Sequence, residues 1–155
     1  MRDDSKIRNV MQTSEAGLKL IKQFEGFFPT PYYCPASKLT IGYGHVILAR
    51  ESFPKAGISK LEAANLLKQD VSIAEKAINR LVKTPLLQNQ FDALVSLVYN
   101  IGSQHFETST LLRFLNDNSM ELAAKEFARW VFAGGLMQKG LVRRRKAEKL
   151  MFLGL

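Results

Sequence analysis

The sequence predicts an α+β chain: a small β-containing lobe, a larger helical lobe, and a long helix between them. Three observations carry this. Prolines at 29, 31 and 35 bar a helix from the stretch that ends in the alternating run Leu39-Thr40-Ile41-Gly42-Tyr43. A capping box, Ser59-Lys60-Leu61-Glu62, opens a stripe of apolar residues spaced by three and four. A second stripe, Phe91, Leu94, Val95, Val98 and Ile101, is apolar almost all round, as a central helix is.

Taken in order, residues 1–13 are polar with scattered Ile7, Val10 and Met11, and read as a loose lead-in helix or a mobile end. Ser14 is an N-cap for a helix through Leu18, Ile21 and Phe24, with Gly26 as its stop. Glu25 therefore falls in a last helical turn. A carboxylate is disfavoured at that end of the helix field, as suits a proton donor. A small antiparallel hairpin or three-stranded sheet is expected over about residues 30–46. Leu39, Ile41 and Tyr43 share one face of its last long strand. Thr40, Gly42 and Gly44 share the other, which is nearly bare and open to a ligand.

The stripe Leu61, Ala64, Leu67, Val71, Ala74, Ile78 and Leu81 makes the long connecting helix, and Thr84-Pro85 ends it. The apolar helix follows and closes at Gly102. Short helices are expected over about 108–115 and 120–132, then a Gly134-Gly135 break, then a basic helix over about 140–152. Leu141, Val142, Ala147, Leu150 and Met151 are its expected buried side. Arg143-Arg144-Arg145-Lys146 is expected on its solvated face. The whole chain, 1–155, reads as one domain, with a β-containing lobe at about 27–58 and a helical lobe at about 82–155.

The 155 residues are 46% hydrophobic, enough for a real core. The net charge of +8 points to a polyanionic partner, and charge alone does not choose between nucleic acid, anionic lipid and cell-wall polymer. A single cysteine rules out an internal disulfide. No apolar run reaches the ~18 residues of a membrane-spanning helix, and the mixed charges of residues 1–17 lack the apolar centre of a secretory signal.

Chemistry concentrates in Glu25 to His45, EGFFPTPYYCPASKLTIGYGH. A carboxyl (Glu25), a thiol (Cys34) and a hydroxyl (Thr40) stand on one short irregular stretch, a constellation suited to acid–base work. Alone, Glu25 reads equally as a solvated helix-end residue, and Cys34 as a small packing residue. His45 near Cys34 opens a second enzyme reading, a Cys34/His45 nucleophilic dyad, although no third orienting group or oxyanion motif accompanies it. The basic run 143–146 opens a nucleic-acid reading, but no zinc ligand set, basic zipper or RNA-recognition sequence goes with it. No metal-ligand cluster and no phosphate loop is present in the sequence, so no cofactor or metal is expected.

These residues resemble the phage-type lysozymes, the endolysins of tailed bacteriophages. The family pattern is a glutamate, eight residues, an aspartate or cysteine, five residues and a threonine. Here those are Glu25, Cys34 and Thr40, followed by TIGYGH. The similarity continues through QNQFDALVSLVYNIGSQHFETSTLLRFLN (88–116) and ARWVFAGGLMQKGLVRRRKAE (128–148). The resemblance implies a lysozyme-like α+β fold with the glycan in a cleft between lobes. It also implies hydrolysis of the β-1,4 bond between N-acetylmuramic acid and N-acetylglucosamine in bacterial peptidoglycan. By resemblance Glu25 is the general acid, Cys34 activates or replaces the attacking water, and Thr40 positions that water. Tyr99 and Thr110 match cleft-lining positions, and one of Arg143 to Arg145 pairs with Glu25. Cys34 stands where many members carry aspartate, which keeps open a lytic transglycosylase working with one acid on the same bond. The implied protein is a monomer that stays in the host cytoplasm until a separate pore-forming protein releases it. The basic C-terminal helix would then adhere to anionic outer membrane or lipopolysaccharide.

Overall fold

The computed structural model describes residues 10–155; the part of the lead-in that holds Ile7 lies outside the described residues. Within 10–13 the chain is not helical. It lies along the long helix, where Met11 N–H donates to Asn79 Oδ1 (3.0 Å) and Thr13 N–H to Glu75 Oε2 (2.6 Å).

Helix α1 spans Glu15–Glu25, with Ser14 Oγ accepting from Gly17 N and Gly26 (φ +73°) as its stop. Three strands follow, β1 (Phe28–Tyr33), β2 (Leu39–Gly42) and β3 (His45–Val46), in the order β1-β2-β3, all antiparallel. Helix α2 is Lys60–Leu81. Ser59 caps it by accepting the Glu62 N–H at 3.1 Å. Its buried stripe is Ala63, Leu67, Val71, Ala74, Ala77 and Ile78; Leu61, expected in that stripe, is exposed. In this first turn it is Ala63, not Leu61, that faces the sheet, lying against Gly42 of β2.

Helix α3 (Gln88–Ile101) is the centre of the molecule, packed against α1, α2 and α7. Phe91, Leu94, Val95 and Leu97 are wholly buried, each worth about 1.5–3 kcal/mol of transfer from water. Two polar residues share this interior. Asp92 accepts Ser14 N–H (3.0 Å) and the Ser14 hydroxyl, tying the start of α1 to α3. Ser96 faces the C-terminal helix.

The second half differs from expectation in two places. The helix expected from 108 is preceded by α4 (Ser103–Glu107), then α5 (Thr110–Asn116) begins behind the Ser109 cap. The helix expected over 120–132 stops early: α6 is Met120–Glu126, with one 3₁₀ turn at 127–129. A two-stranded hairpin then forms, β4 (Phe132–Ala133) and β5 (Leu136–Met137), around Gly134 and Gly135. Both glycines have positive φ, +58° and +77°, the geometry of a two-residue hairpin turn. Helix α7 (Lys139–Phe152) closes the chain.

The buried face of α7 is rotated from the one expected: Arg143 and Lys146 are exposed as expected, and Leu141, Ala147 and Met151 are half-buried. Arg144, Arg145, Glu148 and Phe152 point inward, while Val142 and Leu150 are exposed. Two arginines of the basic run are thus internal. Ion pairs with buried carboxylates make this possible, since a guanidinium is tolerated inside only when paired.

Candidate active site

A cavity of about 530 Å³ lies where the end of α1, the loop into β3, the middle of α2 and the α3–α4 junction meet. Glu25, Gly44, His45, Asp70, Tyr99 and Asn100 are among its lining. The expected cleft between the sheet and the helical lobe is therefore present, and it brings Glu25 and Tyr99 together.

Glu25 is held asymmetrically. Arg144 Nη1 donates to Glu25 Oε1 at 2.7 Å. The other oxygen, Oε2, faces Gly44, where a Cβ would sit 3.0 Å from it and 3.2 Å from the Tyr99 hydroxyl. Gly44 has φ +90° as well, so both backbone and space demand glycine there. Among the three arginines left open in the sequence, it is Arg144 that pairs with Glu25.

Arg144 is itself oriented by a buried set. Its Nε donates to Glu148 Oε1 (3.1 Å) and its Nη2 to the Ser96 carbonyl (3.3 Å). Ser96 Oγ donates to the same Glu148 oxygen at 2.7 Å. Arg145 Nη2 reaches Glu148 Oε1 (2.9 Å), and Nη1 reaches Asn100 Oδ1 (2.9 Å) and the Trp130 carbonyl (3.3 Å). Arg145 Nε and Glu148 Oε2 lie only 2.7 Å apart, but their alignment does not make a hydrogen bond, so this contact is one of charge. Burial pushes the Glu148 carboxyl above its usual range and the Arg145 guanidinium below its own, while each partner's charge pulls the other way.

Tyr99 donates its hydroxyl to the Tyr43 carbonyl at 3.1 Å, bridging α3 to the β2–β3 turn. Burial, then the negative charge of Glu25, raises its phenol well above the ordinary value, so it acts as a neutral donor. Thr110 stands at the first position of α5 and does not line this cavity.

Cys34 and Thr40 are brought together by the β1–β2 hairpin. Cys34 N–H donates to the Lys38 carbonyl (3.0 Å) and Ser37 N–H to the Cys34 carbonyl (2.8 Å), closing a tight turn at its tip. The thiol is held below its usual range, first by the Lys38 N–H; burial opposes this, and the Ala36 N–H and the Thr40 hydroxyl add to it. Thr40 is buried, and its Oγ1 donates to the Lys38 carbonyl at 2.9 Å. The open second face expected for β2 is not open. Gly42 backs onto Ala63 of α2, where an added Cβ would stand 3.2 Å from the alanine Cβ. Cys34 is not part of the cavity lining; Tyr32 feels both groups, its phenol raised by burial and then by the charges of Glu25 and Cys34.

The Cys34/His45 dyad does not form. Both ring nitrogens of His45 are taken by carboxylates, Nδ1 by Asp70 (2.8 Å) and Nε2 by Glu51 (3.0 Å). Burial opposes charge on the ring, but these two bonds outweigh it and raise the His45 pKa above 6.5. Asp70 is raised rather than lowered, because burial exceeds the help of His45. No group of three or more His, Cys, Asp and Glu able to hold a metal occurs among the described residues.

Gly44, placed by the sequence on a ligand-facing side, does line the cavity; Asp70 and Glu148 are site residues that reasoning from the sequence missed. Glu148 carried a readable signal, since it stands at i+4 and i+3 from Arg144 and Arg145. Asp70 carried none, because it meets His45 only through the packing of α2 on the sheet.

Residues 22–148 match the family model described as phage lysozyme. The endolysin of Bacillus phage PZA is 43% identical over 144 residues, covering 92% of this chain and 55% of that protein. The endolysin of Salmonella phage P22 is 39% identical over 146 residues, covering 93% of this chain and 99% of that one. The muramidase domain of SpmX from Asticaccaulis excentricus superposes with a TM-score of 0.83 at 40% identity, covering 92% of this chain and 97% of the domain. The chain spans about half the length of the curated Bacillus phage relatives it matches, 55% and 54%.

Proposed function

The chain belongs to the phage lysozyme family, and from that premise we propose that it is an endolysin muramidase that hydrolyses the β-1,4 bond between N-acetylmuramic acid and N-acetylglucosamine in peptidoglycan. One observation carries the reading: Glu25 has one oxygen fixed by Arg144 and the other directed into the cavity beside Gly44 and Tyr99. From that oxygen a proton passes to the glycosidic oxygen as the C–O bond breaks. Water then adds to the anomeric carbon and its proton is taken up by a base. The lowered thiol of Cys34 suits that role, with Thr40 beside it. Glu25→Gln should keep the fold and lose lysis of purified peptidoglycan; lysis within a few-fold of the parent refutes the assignment.

A second reading has its own support. Cys34 stands outside the cavity lining, which leaves Glu25 with Asp70 as the carboxyls there, and Asp70 is engaged by His45. A single acid suffices for a lytic transglycosylase, in which the muramic acid C6 hydroxyl closes a 1,6-anhydro ring instead of water adding. Mass spectrometry of the sugar ends separates the two, by a gain of water or an anhydro terminus.

The wider reading is of a monomer released from the host cytoplasm by a separate pore-forming protein, with affinity for anionic outer membrane or lipopolysaccharide. With Arg144 and Arg145 internal, that affinity falls to the exposed cations of α7: Lys139, Arg143 and Lys146. Fractionation of producing cells and light scattering of the purified chain test the first two parts.

A further inference from the structure

The hairpin β4–β5 hides neither of its faces. Phe132 pairs with Met137, and Ala133 with Leu136. Opposed residues of an antiparallel pair share a face, and neighbours along a strand alternate. Phe132 and Met137 therefore lie on one side, Ala133 and Leu136 on the other. Both sides are in solvent: Phe132 is 58% exposed, Leu136 69% and Met137 63%. The tip is free as well, since a Cβ added at Gly134 or Gly135 would meet no atom within 4 Å. A projecting ribbon, apolar on both faces, is not covered by laying it on a flat surface. It is covered only when something surrounds it.

Charge indicates what surrounds it. Between Glu126 and Glu148 the sequence has no acidic residue, while Arg129, Lys139, Arg143 and Lys146 are exposed cations in or beside that stretch. Lys139 begins α7 two residues after Met137, and Arg143 lies one turn further. Apolar side chains at the tip with cations at the base match the two layers of an anionic bilayer, acyl chains within and phosphates above. A glycan could stack on Phe132 but would leave Leu136 and Met137, on both faces of the ribbon, largely in water.

We propose that the β4–β5 hairpin is a membrane-docking wedge that inserts Phe132, Leu136 and Met137 into an anionic phospholipid bilayer, with Lys139, Arg143 and Lys146 held at the headgroups. This rests on the membrane affinity in the functional reading above and assigns it to a different element from the basic helix alone.

The chain carries its own reporter. Trp130 is the single tryptophan, half-buried and two residues ahead of Phe132. The parent protein is titrated with vesicles of phosphatidylglycerol mixed with phosphatidylethanolamine, and with phosphatidylcholine vesicles, following Trp130 emission and co-sedimentation. Emission should shift to the blue with the anionic vesicles only, and brominated acyl chains should quench it. The triple variant Phe132→Ser, Leu136→Ser, Met137→Ser should bind these vesicles at least about tenfold more weakly, with an unchanged melting temperature and unchanged lysis of purified sacculi. The variant Arg143→Glu, Lys146→Glu should lose the preference for anionic lipid. Binding that the serine variant retains, and that salt abolishes, overturns the wedge and leaves a charged surface alone. No binding of the parent to anionic vesicles overturns both the wedge and the membrane affinity. A serine variant that loses sacculus binding rather than vesicle binding makes the hairpin a peptidoglycan contact instead.

Discussion

Glu148→Gln tests how the arginine that pairs with Glu25 is held. Glu148 is fully buried and accepts from Ser96, Arg144 and Arg145 at 2.7–3.1 Å. Glutamine keeps the shape but removes the one charge that the two buried guanidiniums share, and it turns an acceptor edge into a donor. Arg144 keeps the charge of Glu25, whereas Arg145 is left with neutral acceptors only, and its Nε meets the new amide donor where Glu148 Oε2 stood. Removing one member of a buried ion pair costs about 3–5 kcal/mol. For a chain of this length each kcal/mol moves the melting temperature by about 2–4 °C, so a fall of roughly 6–20 °C is expected. Calorimetry at pH 7 measures it. Replacing the carboxylate together with its most buried partner, Glu148→Leu with Arg145→Leu, should recover part of the loss, because burial disfavours charge on both groups. Lytic activity should fall further than stability explains, as the bond that aims Arg144 at Glu25 loses its charge. A Glu148→Gln melting temperature within about 2 °C of the parent, or a double variant worse than the single, would show that charge pairing does not hold this interior.

Three other outcomes follow from the geometry. Cys34→Asp should stay lytic and Cys34→Ser should be nearly inactive if the lowered thiol acts as base, with activity rising as pH climbs through the thiol's value; an active serine variant removes Cys34 from the chemistry. Gly44→Ala should abolish lysis, since its Cβ would crowd Glu25 Oε2 and the Tyr99 hydroxyl at a φ of +90°; a Glu25-dependent lysis rate unchanged in that variant contradicts the assigned oxygen. The His45 cluster should make stability peak between about pH 4.5 and 6.5, read as melting temperature against pH. His45 is raised above 6.5, so its contribution is full below 6.5 and lost as pH rises through its folded value. Glu51, held down first by the Leu48 N–H and then by His45, adds stability above 4.5 that is lost as pH falls through its folded value. Asp70, raised above 3.8 by burial, subtracts from this once it ionises. His45→Asn should flatten the alkaline side of that peak, and an unaltered profile would refute the assignment.

Local chemistry was legible from residues alone. Ser14, Gly26, Ser59 and Gly102 mark helix ends through hydrogen bonds and φ angles reaching only a few residues, and each acts where it was expected. The turn that sets Cys34 beside Thr40 is likewise local, and the spacing of Glu25, Cys34 and Thr40 together with the stretches 88–116 and 128–148 pointed to the family. What packing decides was not legible. A basic run on a helix reads as solvated, because the carboxylates that allow Arg144 and Arg145 inside lie on other elements or on a face whose direction the run does not reveal. The alternation at Leu39–Tyr43 promised an open face, yet α2 covers it at Ala63. The Gly134-Gly135 break was legible, but not that the residues on either side of it pair as a hairpin, since two-residue strands leave no period to detect. Above all, which arginine meets Glu25 depends on the rotation of α7 about its axis. That rotation is fixed by Ser96 and Glu148 across 52 residues of chain, a long-range contact that no window of sequence contains.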